Sequence, residues 1–177
     1  MVESPTSQLR SAVRDVADFP QPGILFKDIT PVLADARLLQ MAIDGMAHAF
    51  YGQKVDKVVG IDARGFIFGA MLAARLHTGF IPARKKGKLP WKTIGVDYSL
   101  EYGTNSIELH LDAIEPGENV ILADDLLATG GTAGAVLELI EKSGGNLLGS
   151  VFFIELGFLN GRSKIAHHGP VHSLLHY

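Results

Sequence analysis

Short apolar runs alternate along the chain with stretches whose apolar residues recur every three or four positions, the mark of strands alternating with helices. Leu9, Val13 and Val16 follow Ser7 at helical spacing, which predicts a first helix capped by that serine. The segment stops at Phe19-Pro20-Gln21-Pro22-Gly23, where prolines and glycine exclude regular structure. A second helix is predicted over Ala36 to Phe50, with Leu39, Ala42, Ile43, Met46 and Phe50 on one face. Val55 to Ile61 reads as a buried strand, Asp62 to Gly65 as a turn, Phe66 to Leu76 as a helix and Gly79 to Ala83 as a strand. A polar stretch bearing lysine and glycine, Arg84 to Gly103, has no such pattern and reads as a loop. Ile107, Leu109 and Leu111 alternate with polar residues as in a half-buried strand. Val120 to Ala123 is a strand core leading to Asp124 and Asp125, followed by a helix from about Gly131 to Lys142. Val151 to Ile154 and Val171 to Leu175 complete the strands, the latter at an edge.

Strands of this apolar kind, separated by helices, predict an α/β fold with a mainly parallel central sheet flanked by helices. Ligands in such folds bind beyond the carboxyl ends of the strands, so the residues that follow each strand are the ones to read.

The run from Val120 to Thr132, VILADDLLATGGT, is the most informative of these. A buried strand delivers two carboxylates, and a turn with two glycines then lets a ligand approach the backbone closely. A helix starts at once, so its unpaired N–H groups and positive dipole end face the same space as the Thr129 and Thr132 hydroxyls. Ala128, Thr129, Gly130, Gly131 and Thr132 therefore form a candidate phosphate cradle. Paired acids would repel a phosphate they touched, so Asp124 and Asp125 should face sugar hydroxyls or a magnesium ion. The combination predicts a ribose 5-phosphate ligand. A glycine pair alone would mark only a tight turn; the whole string is far more specific. No G-x-x-x-x-G-K-[ST], G-x-G-x-x-G or G-x-S-x-G occurs, which removes the common nucleotide-binding and serine-hydrolase motifs.

Composition narrows the field further. The 177 residues suit a single domain, 1–177, and 47% apolar with 20% charged residues is ordinary for a globular protein. A formal charge of −3 gives no electrostatic case for nucleic-acid binding. The absence of cysteine excludes disulfides, thiolate metal sites and a cysteine nucleophile. Met1 to Phe19 has no apolar core of a signal peptide, and the most apolar window, Phe66 to Ala74, falls well short of the roughly 20 residues that span a bilayer. A soluble cytoplasmic protein with no membrane partner is expected. His167, His168, His172 and His176 lack the spacing of a metal motif.

The string ending in Asp124-Asp125-Leu126-Leu127-Ala128-Thr129-Gly130-Gly131-Thr132 resembles the phosphoribosyl pyrophosphate (PRPP) motif of the type I phosphoribosyltransferases, in its adenine-using form. Three other stretches agree in order: Asp18 to Pro31 with the family's N-terminal segment, Gly60 to Phe66 with its pyrophosphate loop, and Arg84 to Pro90 with Tyr98 to Gly103 as its flexible catalytic loop. The resemblance covers nearly the whole chain. It implies a purine-salvage transferase that joins adenine to PRPP, giving AMP and pyrophosphate, with Mg2+ as cofactor. It assigns Asp62, Ala63 and Arg64 to pyrophosphate, and Arg84 and Lys88 to the pyrophosphate of a neighbouring subunit's site, hence a homodimer. It makes Glu101 the acid/base, with Tyr102 closing over the site, and Leu25, Phe26 and Lys27 the adenine strip within an N-terminal hood, residues 1–35. Lys27 stands where some relatives carry arginine, and Trp91 stands where the resemblance leads one to expect a small residue. Two alternatives remain: a transferase for another base such as xanthine, and a PRPP- or nucleotide-sensing regulator on the same fold. The regulator would carry a DNA-binding appendage, for which the chain has no spare length.

Overall fold

Most of the breaks in apolar periodicity are turns, and a computed structural model of the protein, describing residues 3–100 and 103–177, shows what lies between them. Contacts divide the chain into two compact units, residues 1–45 and 46–177.

The first unit opens with helix α1 (Pro5–Ala12), strands β1 (Arg14–Ala17) and β2 (Leu25–Asp28), and a short helix α2 (Thr30–Ala34). Ser4, not Ser7, caps α1: its hydroxyl accepts from the Ser7 N–H at 3.2 Å, and Pro5 takes the first helical position, where no N–H is needed. Val16 lies in β1 rather than on a helix. That strand pairs antiparallel with β2, Asp15 opposite Lys27 and Val16 opposite Phe26, a long-range pairing that helical spacing conceals. Lys27 Nζ lies 2.6 Å from Asp15 Oδ1, and the rings of Phe19 and Phe26 meet edge to face at 5.1 Å. Helix α3 (Ala36–His48) follows, with Leu38, Ala42, Ile43, Met46 and Ala47 buried; its inward stripe uses Leu38 where Leu39 was expected.

The second unit is built on a seven-stranded sheet: β3 (Lys57–Ile61), β4 (Gly79–Lys85), β5 (Thr93–Leu100), β6 (Gly103–His110), β7 (Asn119–Leu127), β8 (Asn146–Glu155) and β9 (Val171–His176), in the order β5-β6-β4-β3-β7-β8-β9. The β4-β3-β7-β8-β9 part is parallel, whereas β6 pairs antiparallel with both β4 and β5. Helix α4 (Gly65–Leu76) joins β3 to β4, and α5 (Gly131–Lys142) joins β7 to β8. A single turn of 3-10 helix (Gly157–Leu159) and a short helix α6 (Gly161–Ile165) precede β9.

The central strands β3, β7 and β8 are buried along most of their length, which is why they read as apolar runs rather than alternating. Val59, Leu122 and Phe152 pack in one cluster with Val136, Leu139 and Ile140 of α5. On α4, Phe68 stacks on Phe153 of β8, ring centroids 5.2 Å apart and planes 17° from parallel. Both rings are fully buried, and each such side chain is worth about 1.5–3 kcal/mol of burial.

Much of the polar stretch read as a loop is strand. β5 and β6 pair in register from Thr93 opposite His110 to Leu100 opposite Gly103, so the hairpin brings its own backbone partners and needs no apolar alternation along most of β5.

Candidate active site

The site is made where two neighbouring parallel strands part. β7 pairs with β3 only as far as Gly60 opposite Ala123, but continues beside β8 to Leu127 opposite Glu155. The helices that follow β3 and β7 pack on different faces of the sheet, α4 beside Phe153 and α5 in the cluster of Leu122. Chains leaving in opposite directions open a crevice at the strand ends, the usual ligand position in such sheets. A cavity of about 300 Å³ occupies it, lined by residues 61–64 and 124–133.

Its floor is acidic. Asp124 and Asp125 lie within β7, not after it, so their side chains leave opposite faces of the strand. Asp124 Oδ1 accepts from the Asp125 N–H at 2.9 Å, and Asp125 Oδ2 lies 2.7 Å from Arg64 Nε. A Cβ on Gly65 would overlap Asp124 Oδ1, so the first residue of α4 must be glycine for this carboxyl to sit there. Burial drives the Asp124 carboxyl well above the usual carboxylate range, and the Asp125 charge pushes it further. Burial also raises Asp125, against the pull of the Arg64 guanidinium.

The wall opposite is a helix start. Gly130 has φ +80°, a left-handed backbone that favours glycine, and no side chain caps α5. The first helical bond is from the Gly134 N–H to Gly130 O, 2.8 Å. The N–H groups of Gly131, Thr132 and Ala133 therefore precede the helical ladder, at its positive end, and these residues line the cavity. No acidic residue stands in that first turn to fill the role of an anion.

Asp62, Ala63 and Arg64, which follow β3, Asp124 and Asp125 within β7, and Ala128 to Thr132, which follow it, all line this one cleft. Arg84 stands one strand away, at the end of β4; its Nε lies 2.9 Å from Asp62 Oδ2 and its Nη1 donates to Lys88 O at 3.0 Å. Lys88 itself is exposed. Leu25, Phe26 and Lys27 form β2 in the other unit. Glu101 and Tyr102 lie outside the described residues. Among the described residues no group of three or more His, Asp or Glu could hold a metal, and no helix is long and apolar enough to cross a membrane. One structural partner of the cleft had no legible signal: Gly161 lies against Ala128 and Gly130, and in the chain it shows only as an Asn-Gly turn.

Comparison with known proteins agrees with this geometry. Residues 32–168 match the phosphoribosyl transferase domain family. The adenine phosphoribosyltransferase of Pelobacter propionicus is 54% identical over 169 residues, 96% of this chain and 98% of its own. A crystal structure of adenine phosphoribosyltransferase from Rhodothermus marinus superposes with a TM-score of 0.93 at 53% identity, covering 98% of each chain. That of Saccharomyces cerevisiae, complexed with adenine and an imino-altritol bisphosphate, gives a TM-score of 0.92 at 43% identity over 98% of this chain and 100% of its own.

Proposed function

The chain belongs to the adenine phosphoribosyltransferases, and from that premise we propose which of its residues carry each part of the reaction. It is a purine-salvage enzyme that converts adenine and PRPP to AMP and pyrophosphate.

The observation that carries the assignment is the pairing of an uncapped helix start with two carboxyls, Asp125 buried and Asp124 half-buried, across one cleft. Ala128 to Thr132 anchor the 5′-phosphate through backbone N–H groups and hydroxyls. Asp124 and Asp125 accept from the ribose hydroxyls and so orient C1′. Binding energy from the remote phosphate is thereby converted into alignment of the reacting carbon. Asp62, Ala63 and Arg64 receive the pyrophosphate, with Arg64 sharing its guanidinium between Asp125 and the departing oxygens. N9 of adenine displaces pyrophosphate at C1′ with inversion, and the charge that develops on the leaving group is met by these donors. Glu101 handles the purine proton, Tyr102 closes the site against water, and Leu25, Phe26 and Lys27 hold adenine within the 1–35 hood, the whole of 1–177 acting as one functional domain. The protein works as a homodimer in the cytoplasm, with Arg84 and Lys88 serving the neighbouring site.

Magnesium suits this donor set. It is a hard cation that takes oxygen ligands, and two carboxylates held above their ordinary range by burial gain from a positive charge beside them. With no protein cage of three ligands among the described residues, Asp124 and Asp125 would hold it only alongside substrate oxygens. Bound there, it neutralises pyrophosphate charge.

An assay of nucleotide formation from PRPP and magnesium with adenine, hypoxanthine, guanine and xanthine tests the purine assignment. AMP should form and the other purines should react poorly; comparable use of xanthine would transfer the enzyme to another base. Glu101→Gln should lower the single-turnover rate by about a hundred- to ten-thousandfold, whereas a loop-ordering role predicts raised KM values and rescue by glutamine. Light scattering should give a dimer, and mixed dimers of Lys88→Ala with Gly131→Val should keep one working site.

A further inference from the structure

We propose that Gly161, held by the Arg162–Glu155 pair, is a positioning residue that sets the shape of the phosphate loop. The inference rests on Ala128 to Thr132 being the 5′-phosphate anchor.

Gly161 meets the loop backbone to backbone. A Cβ on it would overlap Ala128 O and lie 2.9 Å from Gly130 N and 3.0 Å from the Ala128 carbonyl carbon. The fit is reciprocal, since a Cβ on Gly130 would lie 2.6 Å from Gly161 O. Neither side can yield by rotating a side chain. Gly161 is the first residue of α6 and its φ is outside the left-handed region, so its own backbone would accept alanine, a better helix former. Only the loop demands glycine there.

The next residue ties this contact to the sheet. Arg162 Nε donates to Glu155 Oε1 at 2.9 Å, Nη2 donates to the other carboxylate oxygen, and Nη1 donates to Val171 O at 2.6 Å. Ser173 Oγ donates to Glu155 Oε2 at 2.6 Å and accepts from Arg162 Nη2 at 3.2 Å. Glu155 is the last residue of β8 and stands opposite Leu127, the last residue of β7, from which the loop departs. The strand end that launches the loop and the helix start that supports it are therefore fixed to one another by a forked ion pair. The Arg162 hydrogen bonds hold the Glu155 carboxyl below its usual range, so the clamp stays ionised into mild acid. Backbone N–H groups that bind phosphate cannot readjust as a flexible side chain would, so small displacements of the loop are felt in full.

The test compares Gly161→Ala, Arg162→Lys and Gly131→Val by calorimetric titration with PRPP, steady-state kinetics and thermal unfolding. Gly161→Ala should remain cooperatively folded and bind PRPP about ten- to a hundredfold more weakly, with KM for adenine changed less than about twofold. Arg162→Lys keeps the charge but loses the fork and should weaken PRPP to a smaller degree, again sparing adenine. Wild-type PRPP affinity in a folded Gly161→Ala protein overturns the proposal. Should that variant fail to fold, unchanged PRPP affinity in folded Arg162→Lys, or equal loss for PRPP and adenine, does the same. Gly131→Val separates the two levels: if it too binds PRPP normally, the phosphate-loop assignment is what fails.

Discussion

Toward the end of β7, Asp124 and Asp125 are successive residues near the Arg64 guanidinium, and burial raises both carboxyls. At the end of β8, the next strand over, Glu155 is met by a forked arginine and a serine hydroxyl, and its carboxyl is lowered. Both sites lie at carboxyl ends of parallel strands in register. The difference lies in what each is left to bind. Glu155 has its lone pairs occupied by the protein, so it serves the fold. The aspartate pair lines an open cleft and the two charges oppose one another, an arrangement that a bound cation or hydroxyl donor would relieve. The strand that lines the cleft thus carries the raised carboxyls, and its neighbour carries the lowered one.

The largest effect expected from breaking this contrast is on activity. Asp124→Asn retains an oxygen for the Asp125 N–H but removes an ionisable carboxyl. Its kcat/KM for PRPP should fall about a hundredfold, the loss expected for a charged hydrogen-bonding group, while the unliganded protein melts no lower than wild type. A variant that melts lower and keeps its activity would reverse the roles given to the two sites.

Glu155→Gln should do the opposite. It should lower stability by about 2 kcal/mol in urea unfolding, less than for a wholly buried pair because Arg162 is 39% exposed. Any kinetic effect should appear in KM for PRPP alone.

The pH dependence of melting sharpens the comparison with opposite signs. Glu155 is lowered in the folded protein, so its contribution is present above its ordinary value of 4.5 and is lost as pH falls through the lower folded value. The aspartates are raised, so their contribution is full below 3.8 and is lost as pH rises through the folded values. Glu155→Gln should therefore flatten the acid side of the profile and Asp124→Asn the side toward neutrality. Identical changes in both variants would refute the contrast. The smallest effect belongs to Ser173→Ala, which removes one hydroxyl from Glu155 and should cost about 1 kcal/mol with activity intact.

Most of the parallel sheet was legible because a strand buried on both faces must be apolar, and Val58, Val59, Ile121 and Leu122 announce it without reference to any neighbour. The turn into α5 was legible for a related reason. A left-handed turn, uncapped N–H groups and a helix start are local features, encoded within Ala128 to Thr132. Asp62 to Arg64 could be assigned to the ligand edge because they follow a strand. The elements that escaped were those whose partners are distant in the chain. β1 looked helical because only its pairing with β2 makes it a strand, and β5 looked like a loop because β6 supplies its hydrogen bonds. Gly161 is more than thirty residues from Ala128, and nothing near it in the chain calls for glycine. The same holds for the raised carboxyls: their identity is written in the chain, but their energy comes from the burial, the Gly65 gap and the Arg64 contact that folding assembles around them. Local sequence specifies which groups are present and how the backbone turns, whereas desolvation and close approach depend on segments that meet only in the folded chain.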